Sequence, residues 1–314
     1  MAVELLEVVF SLAVLVVAGD QFVIGAVRVA GALRVRPTIV GAVVAGLGAS
    51  IPELMVAVIA SVRGDSQLAV GALVGSNIAI ISLAFGIAAL VAPVRVDSRT
   101  VRREAPISVV AVLLFAFVAV GGLTHLEGIV LFVALLLGLG ALLVNARMGT
   151  RRDELGLEVT EFFEPTRHRT GRELLRALIG LGSMLGASEI LIGSASDLAG
   201  RLGVGPEFIG LTVVALGTSA PQVTIAIQAA RRGDHELVVG NVLGSNLFVA
   251  LAGGSIVGFL HRGAAPAPSV APVWMMAGLA LASWGFMARR SRVTRWEAGV
   301  LIAAYVVTLA LAPH

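Results

Sequence analysis

The stretch GAVVAGLGASIPELMVAVIASVRGDSQLAVGALVGSN, Gly41 to Asn77, recurs as GLTVVALGTSAPQVTIAIQAARRGDHELVVGNVLGSN, Gly210 to Asn246. The copies align without gaps at an offset of 169, with 17 identities in 37 positions. Both carry a proline inside an apolar run (Pro52, Pro221), an Arg-Gly-Asp triplet and a Gly-Ser-Asn ending. Chance similarity between apolar segments does not produce that agreement, so the chain contains an internal duplication.

The surrounding chain is a membrane protein by composition. Its 314 residues are 57% hydrophobic and 14% charged, and mean hydropathy is +0.95. A soluble domain carries about 25% charged residues. A spanning helix needs about 20 mostly apolar residues. Ten such stretches are expected, at 4–27, 38–62, 68–92, 105–122, 125–146, 173–200, 207–230, 237–260, 270–288 and 296–312. The longest polar stretch, 147–172, includes Phe162 and Phe163 and divides two five-helix halves, 1–146 and 173–314. It reads as a cytoplasmic loop too short for a domain of its own.

The basic residues are all Arg, and 20 of the 23 fall in alternate loops: 1–2, 3–4, 5–6, 7–8 and 9–10. Only Arg63, Arg201 and Arg262 lie in the others. By the positive-inside rule the Arg-rich loops are cytoplasmic. That places both termini outside the cytoplasm, in a cell (inner) membrane. It also accounts for the sequence pI near 10.7 without nucleic acid as a partner. The opening MAVELLE has no basic run, so no cleaved signal peptide is expected. There is no cysteine, which excludes disulfides and thiolate metal sites.

The 169-residue offset spans five helices, an odd number, so the halves enter the membrane from opposite sides. Inverted repeats of this kind are typical of secondary transporters, whose substrate sites lie near the bilayer midplane where the repeats meet. Pro52 and Pro221 lack an N–H and clash with the carbonyl four residues back, that of Gly48 or Gly217. Carbonyls freed inside a bilayer need a partner or a wet cavity. A bound cation is one such partner. Ser50, Ser219 and Thr218 add oxygen donors of the kind hard cations prefer. Glu53 follows Pro52 directly, and a mid-span carboxylate usually marks an ion path.

At these residues the chain resembles the sodium/calcium exchanger family of the Ca²⁺/cation antiporter superfamily. The resemblance rests on Gly48-Ala49-Ser50-Ile51-Pro52-Glu53, Gly217-Thr218-Ser219-Ala220-Pro221-Gln222, Gly75-Ser76-Asn77, Gly240-Asn241-Val242-Leu243-Gly244-Ser245-Asn246 and Gly19-Asp20-Gln21-Phe22-Val23. It implies two inverted five-helix halves, with long first and sixth helices sliding past the other eight. It implies an alternating-access antiporter moving Ca²⁺ or another cation against Na⁺ or H⁺, with no cofactor and a monomer as the working unit. The implied cation ligands are Glu53, Gln222, Ser50, Ser219, Thr218, Gly48, Gly217, Ser76 and Ser245. Calcium carriers of the family typically have Glu in both repeats and Asn or Asp four residues after each Ser of the Gly-Ser-Asn turn. Here Gln222 replaces the second Glu, Ile80 and Val249 replace the amides or acids, and Ala49 replaces a common Thr. One carboxylate balances Na⁺ or H⁺ but leaves Ca²⁺ with an uncompensated charge, which is costly when buried.

Simpler roles exist for each residue. Glu53 fits a protonated structural carboxyl, and Gln222 an interhelical hydrogen bond. Gly75, Ser76, Gly244 and Ser245 suit close helix packing. Asn77 and Asn246 are expected to cap or pack rather than ligate. Asp20 and Glu189, in spans one and six, either mark an access path or pair with other polar groups; Asp65 and Asp234 read as solvated turns. Two other function classes compete. An intramembrane enzyme using Ser50 or Ser219 has no Gly-x-Ser-x-Gly elbow and no His in the repeat cores. A non-transporting sensor or scaffold is compatible with the changes at Ile80, Val249 and Gln222.

Overall fold

In a computed structural model the described residues are 2–32, 48–148, 170–261 and 265–312. They form helices α1 (Ala2–Ala32), α2 (Ile51–Arg63), α3 (Ser66–Val91), α4 (Thr100–Val120), α5 (His125–Met148), α6 (Thr170–Leu202), α7 (Pro206–Thr218), α8 (Ala220–Arg232), α9 (His235–Leu260), α10 (Val270–Arg290) and α11 (Arg295–Leu311). Seven are long and apolar enough to cross a membrane, and the α7–α8 pair, bent by 43°, makes an eighth. The second expected span begins outside the described residues, leaving only α2. The tenth, α11, has 17 residues, at the lower limit for a spanning helix. The body of the 147–172 loop, with Phe162 and Phe163, also lies outside the described residues.

Burial sorts the helices. In α3 and α9 the apolar windows are 78% and 72% buried, against 22% in α5 and 33% in α1. The repeat-bearing helices are therefore the core, and the apolar faces of α1 and α5 remain for lipid. The core is tight because glycines admit backbone. A Cβ on Gly71, Gly75 or Gly210 would run into the carbonyl of Glu207, Leu211 or Leu68 respectively, where α3 crosses α7. Small residues permit such approach in membrane bundles.

Helices α1 and α6 pack along each other. Arg201 near the end of α6 meets Glu4 at the start of α1 (2.7 Å), and Arg28 near the end of α1 meets Glu173 at the start of α6 (3.2 Å). The two helices are therefore antiparallel. Arg176 adds contacts to Gln21 and Glu173. Glu4 and Glu173 are 169 residues apart, as are Asp20 and Glu189, so the repeat offset extends into this pair.

Loop contacts join segments that the Arg count assigns to one side. Strand β1 (Val94–Arg95) pairs antiparallel with β2 (Arg292–Val293), linking loops 3–4 and 9–10. Arg295 donates to the carbonyl of Leu90 at the same end. On the other side, Leu123 bridges Ala265, and Glu207 accepts from the Ser269 backbone N–H. The Arg-Gly-Asp triplets are helix stops. Gly64 (φ 86°) and Gly233 (φ 75°) take the left-handed conformation that ends α2 and α8, and Asp234 caps α9 by accepting from the Leu237 N–H.

Candidate functional site

Both breaks fall at a serine, just before the proline. Ser50 (φ −93°, ψ 1°) and Ser219 (φ −83°, ψ 1°) leave helical geometry in the same way. The prolines then sit in the first turn of α2 and α8, where a missing N–H is tolerated. The third residue of each helix is the candidate ligand, Glu53 in α2 and Gln222 in α8. A carboxylate there faces the positive end of the helix dipole, which favours it.

The two repeats bring these side chains together. Glu53, 3% exposed, accepts through Oε1 from Gln222 Nε2 at 2.8 Å and from Ser219 Oγ at 3.3 Å. Gln222 Nε2 also donates to the Ala49 carbonyl at 2.7 Å. Its nitrogen thus lies between a carboxylate oxygen and a backbone carbonyl at the helix break, two groups that otherwise suit a cation. Thr218 and Ser76 hydroxyls are 3.4 Å apart, tying α7 to α3, and Thr218 also donates to the Val214 carbonyl. Gly48 begins the turn preceding α2. Gly217 is where Leu12 of α1 seats against α7, since a Cβ there would collide with that side chain.

Among the described residues, several buried oxygens have no hydrogen-bond partner: Ser50 Oγ, Glu53 Oε2, Gln222 Oε1 and Ser245 Oγ. Repeat symmetry explains two of them. Ser76 pairs with Thr218, but the equivalent pairing of Ser245 is with Ala49, which has no hydroxyl. Ser219 donates to Glu53, but Ser50 makes no matching bond to Gln222. Asn77 and Asn246 donate to the carbonyls of Leu73 and Val242, one turn back, as packing residues do, while each Oδ1 stays unpartnered. Buried unpartnered oxygens call for an ion or water.

Two features gain their meaning only from the fold. Ile80 and Val249, both fully buried, begin π-helical turns at 80–85 and 249–253, which correspond under the repeat offset. Such turns are frequent at functional sites. Asn241 is the other. It donates to the Gln222 backbone carbonyl at 3.0 Å and fixes the start of α8 against α9. Its repeat counterpart is Ala72, a polar-for-apolar difference visible in the alignment. Glu189 and Asp20 are both exposed, but among the described residues only Glu189 has an ion-pair partner, Arg63 at 3.1 Å. Among the described residues no three His, Asp or Glu converge as a metal cage. Of the groups that these hydrogen bonds join, Glu53 is the acid; the others are an amide, a hydroxyl and a backbone carbonyl.

Residues 4–144 and 174–312 match the sequence profile described as "Sodium/calcium exchanger protein". The chain is 33% identical over 312 residues to the putative antiporter CaxA of Alkalimonas amylolytica, covering 98% of this chain and 97% of that one. It is 28% identical over 344 residues to the sodium/calcium exchanger MaX1 of Methanosarcina acetivorans, with 98% and 97% covered. A solved structure of the sodium-calcium exchanger NCX_Mj soaked with 100 mM Na⁺ and 10 mM Sr²⁺ is similar over 100% of both chains, at 25% identity and a TM-score of 0.68.

Proposed function

The chain belongs to the sodium/calcium exchanger family, and from that premise we propose a secondary cation antiporter working by alternating access at a site centred on Glu53. The family is one of membrane transporters, so an enzyme is not the reading. The observation that carries the proposal is a single buried carboxylate, Glu53, between two broken helices with oxygens in want of a partner around it. A cation there draws on Glu53, the Ala49 carbonyl, the hydroxyls of Ser50 and Ser219, and Gln222 once its amide turns Oε1 inward and its nitrogen away. Gly48, Gly217, Thr218, Ser76 and Ser245 complete the surroundings. All belong to one chain, so a monomer suffices.

Charge sets the preferred cargo. One carboxylate neutralises one Na⁺ or one H⁺. The exchange that fits is Na⁺ binding as Glu53 loses its proton, and the reverse on the other side. Calcium is the second reading, favoured by the family. Antiparallel α1 and α6, held at each end by an ion pair whose acids, Glu4 and Glu173, are 169 residues apart, support ten spans in two inverted halves. The Arg distribution supports cytoplasmic Arg-rich loops and extracytoplasmic termini.

The test is ⁴⁵Ca²⁺ uptake into Na⁺-loaded proteoliposomes, run beside a Na⁺/H⁺ exchange assay, each with Glu53→Gln. Glu53-dependent Na⁺/H⁺ exchange without Ca²⁺ uptake is expected. Calcium uptake that needs both the Na⁺ gradient and Glu53 overturns the charge argument and establishes the second reading. No exchange of either kind from folded protein leaves the scaffold or sensor role.

A further inference from the structure

Glu189 and Asp20 occupy equivalent places near the middle of α6 and α1, yet they are treated differently. Arg63, at the end of α2, lies 3.1 Å from Glu189 Oε1 and donates to the Glu189 carbonyl at 3.0 Å. Under the repeat offset this pair maps onto Arg232, at the end of α8, and Asp20. Among the described residues, Arg232 and Asp20 make no ion pair. The asymmetry extends to the helices. α6 packs along α2, but α1 makes no comparable contact with α8.

A charged group in a spanning helix is costly without a partner. One of two equivalent acids has its partner in this conformation, and the other has an equivalent Arg within its own repeat-related surroundings. In an inverted repeat, the two facing states arise when each half takes up the arrangement of the other. A contact made by one half alone is then expected to change halves during the cycle.

We propose that Arg63–Glu189 and Arg232–Asp20 are alternating latches between the α1–α6 pair and the broken helices. The first is closed in the conformation described here and the second in the oppositely facing one. Arg63 belongs to an Arg-poor loop and Arg232 to an Arg-rich one, so the latches act at opposite faces. This rests on the alternating-access reading above.

The chain has no cysteine, so Asp20→Cys/Arg232→Cys reports that contact without background. In membranes containing the full chain, these two cysteines crosslink, and the crosslink stops exchange until reduced. Adding Glu189→Gln opens the first latch and raises the crosslinking rate about fivefold, the population change given by an ion pair of about 1 kcal/mol. Arg63→Glu raises it similarly, and combining Arg63→Glu with Glu189→Arg returns it to the starting rate, which a loss of packing alone would not do. A 20–232 pair that never crosslinks, or does so at a rate indifferent to Glu189→Gln, overturns the latches. Exchange that persists through a complete crosslink also overturns them while leaving the antiporter reading intact. Conversely, a crosslink that responds to Glu189→Gln in a protein with no measurable exchange supports the latches and overturns antiport.

Discussion

At the scale of single residues, the proposed chemistry falls to Glu53 and Gln222. The amide nitrogen of Gln222 now spans Glu53 Oε1 and the Ala49 carbonyl, so it stands where a cation's charge would. Gln222→Glu removes that donor and adds a second carboxylate. Apparent Ca²⁺ affinity in ⁴⁵Ca²⁺ binding is expected to rise at least about tenfold, corresponding to about 1.4 kcal/mol, with Na⁺ competing less well. Unchanged Ca²⁺ binding would show that charge count does not set selectivity here. A second residue-scale case is Ser245, whose hydroxyl lacks a partner because Ala49 stands where the other repeat has Thr218. Ala49→Thr restores the symmetric hydroxyl pair. It is expected to stabilise by about 1 kcal/mol, seen as a Tm higher by about 2 °C in a thermal melt of the purified protein.

Helix contacts decide the next scale. The α3–α7 crossing is made by backbones in near contact, with Gly75 against the Leu211 carbonyl. A backbone carbonyl cannot step aside as a side-chain end can. Gly75→Ala should therefore cost about 1–3 kcal/mol, as overpacking does. Gly240, in the equivalent helix α9, has open space where its Cβ would lie. Gly240→Ala should change stability by no more than about 0.5 kcal/mol. Comparing the two melts checks whether the crossing limits stability. Equal effects would mean that it does not.

For the molecule as a whole, the arrangement of loops is the prediction. β1–β2 joins two Arg-rich loops, and the Leu123–Ala265 bridge joins two on the other side. Single cysteines in this cysteine-free chain can report the sides. Ala267→Cys, at an exposed position, is expected to react with an impermeant maleimide in intact cells. Ser98→Cys, also exposed, is expected to react only after permeabilisation. Labelling of Ser98→Cys from outside would invert the topology.

The sequence by itself determined the duplication, the membrane character and the identity of the candidate ligands. These depend on composition and on residue spacing within single helices, which a linear pattern records directly. Pro52 and Pro221 announced the two breaks for the same reason, although tertiary geometry put each break at the preceding serine. What only the tertiary structure decided were relations between distant segments: Gln222 donating to Glu53 across 169 residues, Asn241 holding the Gln222 carbonyl, and the paired π-helical turns at Ile80 and Val249. The same holds for the difference between Glu189 and Asp20. Their surroundings in sequence are equivalent, and it is the packing of α6 on α2 that gives Glu189 an Arg partner which, among the described residues, Asp20 lacks. A duplicated sequence encodes both arrangements alike, and it is the folded chain, in one conformation at a time, that makes the halves differ.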